Sequence, residues 1–408
     1  MEYEIRNITE EELEPFSQQM ARTFGNDYNA ESLEFRKQIF EFNRNIAVFD
    51  RAMIAGTAGI FTYQMTVPGG GQLGCAGVTM VTVRSTHRRQ GVLTSMMRKQ
   101  LHDIRDRGEP LAALWASESS IYGRFGYGTA IQSMELKIAR EWSALRFGVA
   151  SPGQVRLVEG DEVRAKWPAA WERAGGHMPG WVTRTPTWWD IRILRDPKDW
   201  REGWTANYYA QYEDSDGEVR GLARYRIKQS WDGGVPNGKL RVEELAAENA
   251  EAYAGLWRFL TSVDLIGTIE WENASVDEPL YWMLADSRRL ERKSFDSIWV
   301  RLVDVEQSLG GRKYSTEGRV VFRVNDPFLP WCDGTFELEG GPEGAICRAT
   351  NAAPQVTLSA ADLATVYLGG ARLEALGRAG RVSGDAAAVR RADTMLAWDR
   401  VPYCAEHF

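Results

Sequence analysis

In VTVRSTHRRQGVLTSMM, residues 81–97, a β-branched run gives way to a basic loop, a glycine and then an apolar periodicity. Branching at Cβ suits a pleated surface, so Val81, Thr82 and Val83 read as the end of a strand. Leu93, Met97, Leu101 and Ile104 then recur at helical spacing until Gly108. A strand that runs through a loop into a helix leaves the first backbone N–H groups of that helix unpaired, here beside Arg88, Arg89 and Gln90. Unpaired amides and the helix dipole both favour a bound phosphate at such an end. No GK[ST] follows and GxGxxG is absent, so this is neither a P-loop nor a dinucleotide fingerprint. Taken alone, the loop reads equally as an exposed basic turn.

The flanking sequence completes a strand, loop, helix, strand unit. NIAVFD and the run from Met53 to Thr66 read as adjacent strands, VPGGGQL as the following turn, and PLAALWAS as a buried strand after the helix. The pattern returns as KLRVEELAA, AYAGLWRFLTSV and GTIEWE, without a basic, glycine-bearing loop. Eleven of the 16 tryptophans lie in that stretch, between Trp167 and Trp282, so the second copy reads as a degenerate duplicate that packs and shapes. From about residue 295 the strands SIWVRLVDV, GRVVFRVND, GTFELEG, GAICRAT and QVTLSA precede short helices around LATVYLGG and AAVRRADTMLAW. That region reads as α+β.

A chain of 408 residues exceeds one ordinary core and suggests two or three domains. With 44% apolar and 26% charged residues it falls in the soluble globular class. No run of about 18 uncharged apolar residues occurs and the N-terminal stretch is acidic, so the reading is cytoplasmic, with no membrane. Cys75, Cys332, Cys347 and Cys404 show no CxxC spacing, and with four histidines no metal site is expected. A net charge of −7 argues against nucleic acid and mildly favours cationic small molecules.

Downstream, ASESSIYGRFGYG, residues 116–128, sets Tyr122 four residues before Gly126. With the RxxGxL of Arg88, Gly91 and Leu93, it resembles the GNAT N-acetyltransferases, although that superfamily usually has Gly or Ala at the position of Leu93. THRRQGVL, ASESSIYGRFGYG, VPGGGQL, a length near 400 and a terminal aromatic together resemble the Eis family. The resemblance covers the whole chain and implies an α/β and α+β architecture of tandem GNAT domains. The catalytic one would span 1–145 and the degenerate one 146–294. A sterol-carrier-protein-like domain over 295–408 would supply the C-terminal carboxylate. It also implies acetyl-CoA as co-substrate, an amine of a cationic small molecule such as an aminoglycoside or polyamine as acceptor, and a homo-hexamer.

Carried over by position, the resemblance assigns the pantetheine arm to the backbone of Val81, Thr82 and Val83. Phosphates go to Arg88, Arg89, Gln90, Gly91, Val92, Leu93 and Thr94, and the region near the acyl end to Ser117 and Glu118. Tyr122 becomes the general acid, its ordinary pKa of about 10 being matched to a thiolate of roughly 8.5 to 10. No His or Glu of the first domain is nominated as base, and the resemblance gives that role to the terminal carboxylate of Phe408. In water such a group titrates near ~3.5, so it needs desolvation to act as a base. Phe24, Asp27 and Phe35, with Glu406, would line the acceptor pocket. The ending AWDRVPYCAEHF has His407 where family members often have an acidic residue, with Glu406 displaced by one. Other readings are a biosynthetic or lysine N-acyltransferase, and a non-catalytic lipid-binding or scaffold protein.

Overall fold

A computed structural model describes residues 3–146 and 150–408. The chain forms two compact units, one of Met1–Ile131 with Asp296–Phe408 and the other of Gln132–Phe295.

The first unit opens with strand β1 (Glu4–Asn7), helices α1 (Leu13–Thr23) and α2 (Ala30–Ile39), and strands β2 (Ile46–Asp50), β3 (Met53–Thr66) and β4 (Gln72–Val83). The turn expected in VPGGGQL closes the β3–β4 hairpin, Val67 N–H donating to Gly71 O over 2.8 Å. Helix α3 (Val92–Asp106) buries Val92, Met96, Met97, Leu101 and Ile104, a 3.6-residue stripe, against the sheet. Strand β5 (Leu111–Trp115), helix α4 (Ser119–Tyr122) and the two-residue β6 (Gly128–Thr129) follow.

The chain then enters the second unit through β7 (Gln132–Ala139). There β8 (Gln154–Val158), α5 (Gly160–Gly175), β9 (Tyr208–Glu213), β10 (Val219–Lys228), β11 (Gly238–Ala247), α6 (Ala250–Ser262), β12 (Ile266–Ser275) and β13 (Glu291–Asp296) build a seven-stranded sheet in the order β13-β7-β12-β11-β10-β9-β8. Packing accounts for seven of the eleven tryptophans, which are buried, while Trp200, Trp231 and Trp282 are exposed. Trp167, Trp171 and Trp257 are fully buried, and the rings of Trp171 and Trp181 lie 3.9 Å apart. The Arg184 guanidinium sits 3.5 Å over the Trp171 ring while pairing with Glu244 at 2.9 Å, so a buried charge is neutralised at an aromatic wall.

Returning to the first unit, β14 (Ile298–Leu302) pairs antiparallel with both β5 and β6, giving the sheet order β1-β2-β3-β4-β5-β14-β6. The sequence places this strand, SIWVRLVDV, with the region beyond it; its pairing puts it in the first sheet. The last sheet, β17-β16-β15-β18-β19, consists of β15 (Gly318–Asn325), β16 (Gly334–Gly341), β17 (Gly344–Ala349), β18 (Val356–Ser359) and β19 (Ser383–Gly384). Helices α7 (Ala360–Tyr367), α8 (Leu373–Arg378) and α9 (Ala386–Leu396) accompany it, and α7 packs on β14 and β6. Its start is fixed by a capping box, Ser359 and Asp362 exchanging hydrogen bonds.

Within the second unit, Glu278 is buried and accepts a hydrogen bond from Tyr253 Oη. Burial pushes its carboxyl up to about 7 from an ordinary 4.5. A carboxyl raised in the folded state stabilises fully below its unfolded value and loses that contribution as pH rises through about 7. Glu278→Gln, which keeps the acceptor and removes the ionisation, is therefore expected to stabilise the protein at pH 8 by up to about 3 kcal/mol and by less than about 1 kcal/mol at pH 5. Urea unfolding at the two pH values measures this, and an equal effect at both would contradict it.

Candidate active site

β4 and β5 run parallel for four pairs, from Cys75 with Leu111 to Val78 with Leu114, and then part. β4 continues to Val83 while β5 ends at Trp115, so Thr79 to Val83 have no β5 partner. On its other side β4 keeps β3, but out of step: Thr57 faces Thr82 whereas Gly59 faces Thr79, one residue against two. This bulge holds Met80 at φ 53°, in the left-handed region. Thr57 Oγ1 fixes it by donating to Met80 O at 2.7 Å and lies 2.6 Å from Thr82 Oγ1. The result is a strand edge with unpaired N–H and C=O groups facing a wedge, which is where Val81, Thr82 and Val83 sit.

Beyond β4 the loop of residues 84–91 makes one 3-10 turn at Ser85–His87, and the buried His87 lies 3.2 Å from Asp50. Arg89 and Gly91 then take positive φ, 63° and 82°, and Gly91 caps α3 with no side-chain hydrogen bond to the helix start. The first amides of α3 thus remain available, with Arg88 and Arg89 exposed beside them and outside any ion pair among the described residues. Gln90 accepts from Tyr3 Oη at 2.6 Å, which ties the loop to the sheet edge. Val92 is buried, Leu93 half-buried and Thr94 exposed. The second copy differs here. Residues 248–249 alone join β11 to α6, and the Asn249 side chain accepts from Ala252 N–H, closing the helix start with the protein's own oxygen.

Past β5, Ser117 and Glu118 are exposed in the loop that leads to α4, whose last residue is Tyr122. Tyr122 is 6% exposed, with its ring edge-on to Tyr127 at 5.9 Å, and burial pushes its phenol up to about 12. The ordinary value near 10 expected from sequence does not hold, because the side chain is taken out of water. The turn after Tyr122 requires Gly126, at φ 83°: a Cβ there would lie 2.4 Å from the Arg301 guanidinium, which is itself buried against Asp326.

The terminal segment 397–408 is irregular but ordered by packing. Tyr403, Cys404, Glu406 and Phe408 are buried and His407 is exposed. The Trp115 indole N–H donates to Glu406 O at 2.9 Å, and the His407 ring lies 4.6 Å from the Trp115 ring. Phe408, 8% exposed, sets its ring 5.1 Å from Tyr63, over the gap that Gly77 leaves in β4. A Cβ at Gly77 would come within 2.4 Å of Tyr63 and 3.3 Å of Phe408. The chain end and the parting strands therefore share one place. Of the expected acceptor residues, Phe24 caps α1 and is 53% exposed, Asp27 is exposed beyond it, Phe35 is half-buried on α2, and Glu406 is buried. Trp115, Tyr63, Gly77 and Thr57 were not picked out by sequence; for Trp115 the available signal was its position as the last residue of β5.

Family models for an acetyltransferase (GNAT) domain match residues 4–130 and 180–302, and one for a sterol carrier protein domain matches residues 305–405. The chain is 40% identical over 390 residues to an uncharacterised N-acetyltransferase of Streptomyces coelicolor, covering 94% of each. It is 34% identical over 359 residues to N-acetyltransferase Eis of Mycobacterium tuberculosis, covering 85% of this chain and 84% of the other. The crystal structure of Eis1 from Mycobacterium abscessus matches with a TM-score of 0.86 at 31% identity, over 99% of this chain and 100% of that one. A GCN5-related N-acetyltransferase of Anabaena variabilis, at 18% identity and a TM-score of 0.87 over the full length of both, shares the fold. Two GNAT domains followed by a sterol-carrier-like domain, and relatives of this identity across most of the chain, establish that the protein is an N-acetyltransferase and belongs to the Eis family of the GNAT superfamily.

Proposed function

We propose that this enzyme transfers acetyl from acetyl-CoA to amines of multiply cationic small molecules such as aminoglycosides or polyamines. The observation that carries the proposal is the unpaired edge of β4 lying beside an uncapped helix start. That pair of features suits a ligand with an amide-bearing arm and a pyrophosphate, because the strand edge offers ladder hydrogen bonds and the helix end offers free amides with a positive dipole. Val81, Thr82 and Val83 take the arm. Arg88 and Arg89, with the backbone from Gln90 to Thr94, take the phosphates, and Ser117 and Glu118 lie toward the acyl end. Acetyl-CoA supplies the acetyl group, and coenzyme A leaves as the thiol. The acceptor class is supported by charge: residues 10–39, through the end of α2, contain seven carboxylates against Arg22, Arg36 and Lys37, and although Glu10 pairs with Lys37 and Glu12 with Arg6, the balance stays negative and favours cations on the α1–α2 side.

Two groups of this chain handle the protons. Tyr122, kept neutral by its burial, holds the proton that the departing sulfur takes. The terminal carboxylate of Phe408 orients the cationic acceptor by its charge and accepts the proton that the neutral attacking amine sheds as the C–N bond forms. A neutral acid and an anionic base of this kind divide the two halves of acyl transfer.

A thiol-release assay over kanamycin, spermine and a lysine-containing peptide tests the acceptor class; release with the first two is expected, and silence with all three would refute the reading. Tyr122→Phe should lower kcat by about 10²-fold with KM for acetyl-CoA within twofold, and unchanged turnover would remove Tyr122 from the mechanism. Because the phenol ionises only near 12, kcat/KM should rise with pH as the amine loses its proton and show no fall below about pH 10.5. A descending limb centred near 10 would mean a solvated phenol. Removing Phe408 should cost about 10²-fold in kcat, and full activity without it would discard the carboxylate as base.

A further inference from the structure

We infer that Trp115 is a positioning residue that pins the last three residues of the chain and so sets where the Phe408 carboxylate lies. The inference rests on the reading of that carboxylate as the base. Three contacts from β3 and β5 converge on the final tripeptide: the Trp115 indole N–H to Glu406 O at 2.9 Å, the Trp115 ring against His407 at 4.6 Å, and the Phe408 ring against Tyr63 at 5.1 Å. The segment from 397 onward has no helix or strand of its own, so its placement depends on such anchors. Upstream, Pro402 packs where Gly370 leaves room, and the fully buried Cys404 sets its thiol 3.7 Å from the same Glu406 O, a longer and weaker contact than the indole's 2.9 Å.

Trp115 is suited to the task by its own position. It is the last residue of β5, paired with Ile298 of β14, so its backbone belongs to the sheet while its side chain reaches the wedge that opens after Leu114. A rigid strand end with one donor and one flat face holds a peptide in two ways, a hydrogen bond fixing depth and a ring contact fixing direction. The hydrogen bond is made to a main-chain carbonyl two residues before the end, so it constrains the terminus whatever the side chain at 406. A misplacement of about 1 Å at a reacting group can cost on the order of 10²-fold in rate.

The test uses the full-length protein with kanamycin and spermine as acceptors, and carboxypeptidase release of Phe408 as a measurement that needs no acceptor. Trp115→Phe keeps a ring and removes the donor; His407→Ala removes the ring contact from the exposed side and serves if the first variant folds poorly. Phe408 should be released about tenfold faster in Trp115→Phe and about threefold faster in His407→Ala. Turnover of Trp115→Phe should fall about tenfold with KM for acetyl-CoA within twofold, and in protein lacking Phe408 the same substitution should cost nothing further. Unchanged release of Phe408 in both variants, or an equal loss of kcat with and without Phe408, would overturn the inference. If removal of Phe408 leaves kcat intact while Trp115→Phe still speeds its release, the pinning stands and the carboxylate's role as base falls.

Discussion

The parallel ladder between β4 and β5 ends after Val78 and Leu114, and the site is built on what that ending leaves open. A strand interior would satisfy the groups from Thr79 to Val83 on both sides; here one side is served by β3 alone. A buried main-chain group without a partner costs about 1–3 kcal/mol, so such an edge persists only where water or a ligand meets it. Two devices keep it from closing. The bulge at Met80, held by Thr57, bends β4 out of register, and β5 stops after five residues at Trp115, whose neighbour in the sheet is Ile298 of β14. Because β14 lies beyond the second unit in sequence, the chain returns to the first sheet before building the region that ends at Phe408. The return gives α7 a place on β14 and β6, and thereby brings the terminal segment to the parting strands.

The second copy keeps the parting but not the open helix. β11 overruns its last pairing with β12, Val242 with Trp271, by the five residues Glu243 to Ala247, much as β4 overruns β5. Yet its helix starts two residues later with an asparagine that satisfies Ala252 N–H from within. In the first copy the equivalent connection runs over residues 84–91 and leaves the first amides of α3 without a side-chain cap. Degeneracy here is therefore a matter of local capping chemistry: an Asn at the helix start supplies about 1 kcal/mol of helix stability and removes an anion site.

The sequence shows the local units well, because strand and helix patterns, the glycine-rich turn and the loop before α3 are all written in neighbouring residues. What it does not show is which strand lies beside which. SIWVRLVDV has the composition of a buried strand, yet nothing in those residues says that its partners are β5 and β6. The bulge is hidden for a related reason, since Met80 is not a residue that announces positive φ and its conformation is imposed by Thr57 and the ladder. The tail is partly legible: its apolar residues mark it as placed, while the Trp115 contact spans the chain from 115 to 406 and leaves no local trace. Resemblance names Tyr122, but the environment that shifts its phenol comes from packing.

That shift alters the proton argument. Matching a phenol of about 10 to a thiol of similar acidity assumes that both sit in water. Tyr122 does not: it is raised to about 12 by burial, and its aromatic neighbour Tyr127 is fully buried with a hydroxyl that has no protein partner among the described residues. In the proposed mechanism the sulfur leaves beside Tyr122 and is penalised as an anion in the same direction, so the difference between donor and acceptor, which governs the transfer, changes less than either value alone. Burial then has a use that the solution values conceal. In the proposed mechanism it keeps Tyr122 protonated up to about pH 12, through the range in which the amine first becomes neutral, and penalises a thiolate departing without a proton, which would couple bond breaking at sulfur to donation by Tyr122.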